Sequence, residues 1–485
     1  MRHTIELVFP PSIGIIHFIG IGGIGMSGIA EILFHMGFQV QGSDLSNSYV
    51  TDRLEKLGIK IYYQQGSKNV ESASLVIRST AIKDFNPEIH RAAELGIPII
   101  KRSQMLAEIM RFKHSIAISG THGKTTTTSL VAHLLDSASL DPTVINGGII
   151  NSKNTNAYIG SGAYLVAEAD ESDGTFINIP NYISVITNIN PEHLDYYENF
   201  ENVISAYRKF ITNLPFYGFA VLCYDHPTVK QLGTSIKNRR VISYGLDSND
   251  VDLRAVDIRT SITGSTFNVQ LSDSYRIHKR VACDVINNIE LHLNGRHNIS
   301  NCLAAIAIGI ELGIDLDVIT KSFTAFHGVK RRFTKVGEVN GISIIDDYAH
   351  HPNEIKATLL TARELTQPNN ARVIAVVQPH RYSRLKDLLS EFVEALSIAD
   401  CIIVADVYAA GEDPIVGINS PYLVQRLKSY GSEQAIYLDQ PENLPELINK
   451  LAKSPDIVIF LGAGNITKWA YELPTNLQKL QDANT

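Results

Sequence analysis

The chain has 485 residues, of which 44% are hydrophobic and 19% charged. It is too long for one hydrophobic core and should divide into roughly two to four domains, each burying its own. A net charge of -7 speaks against nucleic acid as a partner, and four cysteines without a C-x-x-C pair fit neither a disulfide framework nor a zinc site.

From Leu7 to Ala30 the only ionisable side chain is His17, a neutrality that a membrane span would share. Pro10-Pro11 and repeated glycines interrupt it, so no membrane insertion and a cytoplasmic location are expected. Up to residue 112, the runs "IGIIHFIG", "FQVQGSD", "SLVIRST" and "IPIIKR" alternate with the amphipathic runs "MSGIAEILFHMG", "YVTDRLEKLG" and "PEIHRAAELG". This is the pattern of a parallel sheet covered by helices. At the first strand-to-helix junction stand Gly20, Gly22, Gly23 and Gly25, and Asp44 closes the second strand. That spacing meets the fingerprint in which backbone amides cover a pyrophosphate and an acid approaches a ribose. A nicotinamide dinucleotide and a UDP-linked ligand satisfy it equally, so an NAD-dependent dehydrogenase is one reading of this motif.

A second α/β unit, 113–328, opens with "HSIAISGTHGKTTTTSLVAHLL". A phosphate loop needs a strand, a turn with inward amides, a lysine, a hydroxyl and a helix N-terminus. Gly120 and Gly123 supply the turn, Lys124 the cation and Thr125 the hydroxyl, although the loop is shorter than the common G-x-x-x-x-G-K-[ST]. Oxygen ligands for magnesium belong at neighbouring strand ends. "YLVAEADESD" offers Glu168, Asp170, Glu171 and Asp173, and "YISVITNINPEHLD" offers Asn188, His193 and Asp195. Between Val251 and Val281, polar-alternating runs broken at Gly264 and Ser272-Asp273 predict antiparallel hairpins inserted in this unit.

The third unit, 329–485, repeats the alternation with "ISIIDDY", "RVIAVVQP", "DCIIVAD" and "DIVIFLGAG" as strands. "IIDDYAHHP" and "VVQPHRYSR" both follow apolar strands and so fall at the carboxyl edge of the sheet, where open α/β folds bind ligands. There Arg381 and Arg384 suit a carboxylate. No Asn-Lys-x-Asp guanine signature accompanies the phosphate loop, and a dehydrogenase leaves that loop and the third unit without a task.

"GIGGIGMSGIA", "GTHGKTTTTS", "EADESD", "NINPEHLD", "LNGRHNISNCLAA", "FHGVKRRF", "DDYAHHP" and "QPHRYSR" occur in this order, and across nearly the whole chain this series resembles the Mur ligases, in detail their alanine-adding branch. The resemblance implies a Rossmann-like UDP-binding domain, a central P-loop ATPase domain and a C-terminal Rossmann-like domain. It implies ATP-dependent joining of UDP-N-acetylmuramate to L-alanine in peptidoglycan synthesis, by a monomer or weak homodimer. A sister ligase that attaches a tripeptide to the same sugar is the nearest alternative.

By motif, the resemblance puts Gly120, Thr121, His122, Gly123, Lys124, Thr125 and Thr126 at the ATP phosphates and His297, Asn298 and Asn301 at the adenine. Thr125 and Glu168 would hold one Mg2+ and His193 a second. Gly20, Gly22, Gly23, Gly25, Asp44, Ser79 and Thr80 would hold the UDP-sugar. Tyr348, His350, His380, Arg381 and Arg384 would face the amino acid, and Lys124, His193, Arg331, Arg332, Asp346 and His350 form the expected catalytic set. Several sister ligases carry a carbamylated lysine where this chain has Ile211, with Lys209 two residues early, so metal binding should rely on unmodified side chains.

Overall fold

The computed structural model describes residues 13–79, 82–153, 155–261 and 264–482. Pro10-Pro11 and Thr80 lie outside them. Three sheets organise these residues. The first is fully parallel, in the order β3-β2-β1-β4-β5, formed by β1 (Ile15–Ile19), β2 (Val40–Ser43), β3 (Lys60–Tyr62), β4 (Ala73–Arg78) and β5 (Ile99–Lys101).

The second sheet has ten strands in the order β15-β14-β13-β12-β11-β10-β6-β9-β7-β8. Its centre is β6 (His114–Ser119), flanked by β9 (Tyr164–Glu168) and β10 (Ile183–Ile186). Beyond β9 lie β7 (Thr143–Ile150) and β8 (Thr155–Tyr158), and beyond β10 lie β11 (Phe219–Cys223), β12 (Arg240–Gly245), β13 (Leu253–Ser261), β14 (Gly264–Leu271) and β15 (Val285–Leu291). The third sheet, β16-β17-β21-β18-β19-β20, comprises β16 (Thr334–Val339), β17 (Ile342–Asp347), β18 (Val373–Val377), β19 (Cys401–Val404), β20 (Ala435–Tyr437) and β21 (Ile457–Leu461). Central strands such as "HSIAIS", "VIAVV" and "IVIFL" are apolar on both pleat faces because helices cover both sides of a parallel sheet.

As expected of the insert, β13 and β14 are neighbouring strands either side of the break before Gly264, and two details differ. β13 continues the central sheet by parallel pairing with β12, and Asp273–Lys279 is a helix. The Ser272-Asp273 break is that helix's start, where the Ser272 hydroxyl accepts from Tyr275 N at 3.3 Å.

The described residues fall into two compact units, the first spanning residues up to 258 with 266–290 and 300–327, the second 259–265, 291–299 and 328–485. The first therefore holds two sheets, because one apolar cluster runs from Ile16, Phe18 and Ile29 through Ile145 and Ala157 to Phe176 and Tyr207. The helix Ile24–His35 is the shared element, with every residue from Met26 to Leu33 buried. A Cβ on Gly28 would come within 2.9 Å of the Ala157 Cβ, so glycine allows the helix to lie on β8. Polar ties finish the seam: Asn156 Nδ2 donates to Ile24 O at 2.7 Å, and Arg53 pairs with Glu31 at 3.0 Å. Among the described residues no helix is long and apolar enough to cross a membrane.

Candidate active site

At the carboxyl end of β6 the chain turns through Gly120 (φ 133°) and Gly123 (φ 86°) into the helix Lys124–Ser137. Both glycines hold backbone angles that side chains rarely adopt. The turn is clasped by the segment after β10. Thr121 N donates to Asn188 O (3.1 Å), His122 N donates to Asn188 Oδ1 (2.8 Å), Asn188 Nδ2 donates to His122 O (2.9 Å) and Asn190 N donates to Thr121 Oγ1 (2.8 Å). Thr126 is buried in the first helical turn. Asn301 lies against the loop, its Oδ1 2.7 Å from where a Gly123 Cβ would stand.

Lys124 Nζ donates to Glu171 Oε1 at 2.9 Å and to Gly120 O at 2.5 Å. Burial disfavours this ammonium, but the Glu171, Glu168 and Asp170 carboxylates outweigh it and hold its pKa above the ordinary lysine value. Glu168 Oε2 accepts from Thr125 Oγ1 and from Gly147 N, both at 2.9 Å, which joins the two residues expected at one magnesium. His193 sits in the left-handed region (φ 56°) at the head of a short helix. Its ligating nitrogen and carboxylate oxygens of Glu171 and Glu192 lie within 4.8 Å of one another, and the buried Glu171 Oε2 has no hydrogen-bond partner. An orphaned acceptor beside further donors of this type fits a hard cation. Ile211 is fully buried in the core while Lys209 is exposed, so the chain offers no lysine at the position modified in sister ligases.

In the first sheet, Gly20, Gly22, Gly23, Gly25 and Asp44 converge. Gly20 N donates to Ser43 O (2.8 Å) and Gly22 N to Asp44 Oδ2 (2.8 Å), so the expected ribose acid rests on the glycine turn itself. Ser79 borders the same turn, its Cβ 3.6 Å from where a Gly20 Cβ would stand.

The second unit gathers its candidates at the carboxyl edge of β17, β18 and β21. Tyr348 N donates to Arg331 O (2.8 Å), and the Arg331 and Arg332 guanidiniums lie over the Tyr348 ring at 4.7 and 5.5 Å. Arg331 Nη2 donates to Gly462 O (2.5 Å), and Thr467 Oγ1 donates to Asp346 Oδ2 (2.5 Å). His350 packs edge-on to Tyr348 and to His380, which stacks on Tyr408. Burial, with His350, Arg384 and Arg381 adding to it, pushes the His380 pKa down to about 4. At neutral pH His380 is therefore an uncharged imidazole.

His297 and Asn298 belong to the second unit and Asn301 to the first, so the expected adenine contacts are divided between units. Lys124 and His193 are likewise in the first, and Arg331, Arg332, Asp346 and His350 in the second. Reading by motif passed over Tyr408, Thr467 and Glu412, whose carboxylate accepts from Ser383 beside Arg381, and also Arg102. No local signal marks them, because each meets the site only through the fold.

Asp347 carries a pH signature. Its carboxyl accepts from Phe333 N and Ala349 N, both at 2.7 Å, yet burial raises its pKa to about 6 despite Arg332. The folded chain thus holds a proton that the unfolded chain has lost between about pH 4 and 6. Raising pH through that window should remove up to about 3 kcal/mol. Denaturant unfolding at pH 4 and pH 6 should show this slope in the parent and a flatter one in Asp347→Asn; equal slopes would refute it.

Family models extend over nearly the whole chain: "Mur ligase family, catalytic domain" at residues 15–114, "Mur ligase middle domain" at 118–309 and "Mur ligase, glutamate ligase domain" at 331–464. The chain belongs to the Mur ligase family. A UDP-N-acetylmuramate–L-alanine ligase of Rickettsia felis is 54% identical over 463 residues, covering 95% of this chain and 96% of the relative. Among solved structures, the UDP-N-acetylmuramate-alanine ligase of Thermotoga maritima matches with a TM-score of 0.80 and 30% identity over 96% of this chain and 99% of that one. A murein peptide ligase of Psychrobacter arcticus shares the fold, with a TM-score of 0.70 and 22% identity over 96% and 98%.

Proposed function

We propose that this chain joins the lactyl carboxylate of UDP-N-acetylmuramate to the amine of L-alanine, consuming ATP and releasing ADP and phosphate, in cytoplasmic peptidoglycan synthesis. The observation that carries this reading is 54% identity to an alanine ligase across 95% of the chain, and the Lys124 loop with its acidic neighbours supports the ATP chemistry. Residues 1–112 take the sugar nucleotide, 113–328 the ATP and 329–485 the amino acid.

A carboxylate resists attack by an amine because oxide is a poor leaving group. The carboxylate therefore first attacks the γ-phosphoryl group and ADP departs; the alanine amine then attacks the acyl carbon, and phosphate leaves as the amide forms. Lys124, freed from the Gly120 and Thr121 carbonyls, neutralises charge on the transferring group. Thr125 with Glu168, and His193 with Glu171 and Glu192, would hold magnesium, which supplies charge neutralisation at phosphate oxygens. Arg331 and Arg332 are further cations expected to assist the transfer. Arg381 and Arg384 grip the alanine carboxylate. Between them Asp346, whose pKa burial raises, and His350 orient and deprotonate the ammonium.

Phosphate release should require UDP-N-acetylmuramate, ATP and L-alanine together. Turnover with L-alanyl-γ-D-glutamyl-diaminopimelate in place of alanine, and none with alanine, would overturn the assignment in favour of the tripeptide ligase.

A further inference from the structure

Arg102 opens the helix Arg102–Met110 and is only 20% exposed. Its guanidinium reaches two places that sequence leaves unconnected. One end lies against Gly25: a Cβ there would stand 3.0 Å from Nη1 and 3.4 Å from Cζ. The third glycine of the turn therefore leaves room for a cation. The other end, Nη2, donates to Asp170 Oδ2 at 3.1 Å, across a sequence separation of 68. Asp170 stands beside Glu171, the partner of Lys124, and its side chain is 44% exposed.

Charge balance gives this pair a function. Around Lys124 stand Glu168, Asp170 and Glu171, all three of which bear on its ammonium. Arg102 engages Asp170 at 3.1 Å and so offsets part of the charge that this third carboxylate adds beside Lys124. The same guanidinium stands at the glycine-rich turn, whose following helix has neither a side-chain cap nor an acid in its first turn.

We propose that Arg102 serves both nucleotide sites: it offsets the charge of Asp170 beside the phosphate loop and presents a guanidinium edge to the sugar nucleotide's diphosphate at the glycine turn. This rests on the sugar-nucleotide reading above. The test is the dissociation constant of the full chain for UDP-N-acetylmuramate and, separately, for a non-hydrolysable ATP analogue with magnesium. Arg102→Gln should weaken both by about tenfold or more. Adding Asp170→Asn should restore the ATP analogue to within about threefold of the parent, since the surplus charge is gone, and should leave sugar-nucleotide binding weak. A purely structural role would move both affinities together.

Arg102→Lys keeps the charge where Arg102→Gln proves unstable. It should keep the ATP analogue near parental affinity and still lose sugar-nucleotide affinity, because a single compact ammonium cannot reach both Asp170 and Gly25 as the guanidinium fork does. Unchanged affinities in both single variants, or restoration of both ligands by Asp170→Asn, would overturn the inference. Failure of the parent chain to bind UDP-N-acetylmuramate would instead overturn the functional reading.

Discussion

Lys124→Ala should lower kcat about a thousandfold, which corresponds to about 4 kcal/mol of transition-state stabilisation. Lys124 is the loop's cation, its side chain is only 15% exposed, and its pKa stays above the ordinary lysine value in the company of three carboxylates. The substitution has a second consequence, because Glu171 is 4% exposed and would lose its only ion-pair partner among the described residues. Breaking a buried pair by removing one member costs about 3–5 kcal/mol of stability, so the thermal midpoint should fall as well. Lys124→Arg separates the two effects. It keeps a cation for Glu171 and hence the fold, yet its planar fork cannot reproduce the bonds of a compact ammonium, so turnover should still drop by about tenfold or more. Phosphate release measured beside thermal unfolding decides the matter; near-parental turnover in Lys124→Ala would remove the lysine from the chemistry.

Gly120→Ala should abolish measurable ATP binding while leaving most of the fold intact. At φ 133° an alanine is strained, and its Cβ would overlap Thr187 Oγ1 and approach Asn188 N and O at 3.1 Å. Thr187 and Asn188 are the residues that clasp His122, so relief of the overlap must open the loop. Backbone strain of about 1–3 kcal/mol and overpacking of similar size together predict a loss of affinity of at least about a hundredfold for a non-hydrolysable ATP analogue. Gly313→Ala is the control. It also has positive φ, 74°, but nothing lies within 4 Å of the added methyl group, so it should cost about 1–2 kcal/mol of stability and no nucleotide affinity. Equal affinities in Gly120→Ala and the parent would refute the role given to the loop.

The three α/β stretches were legible because parallel strands buried on both faces must be mostly apolar, and "VIAVV" or "IVIFL" can scarcely be anything else. The glycine turns were legible because a chain that bends at positive φ over an anion has few alternatives to glycine. Asp273–Lys279 was misread as strand because Ser and Asp mark hairpin turns and helix caps alike, and the choice lay with packing against the rest of the sheet. Asp44 was placed at the turn from its spacing, but its bond to Gly22 N depends on β1 and β2 pairing in register.

By itself the sequence supplied the candidates for the reacting groups: the lysine and threonine of the loop, the carboxylates at the strand ends, and the arginines of the third stretch. These are local facts, since each motif folds on a strand end and a helix start within a few residues. Only the tertiary structure decided which group neutralises which. Glu171 rather than Glu168 takes Lys124, Asn188 closes the phosphate loop, and Arg102 bridges Gly25 and Asp170. Ionic and hydrogen-bonded partners are chosen by distances of about 3 Å between residues far apart in the chain, and no spacing rule in one dimension sets those distances.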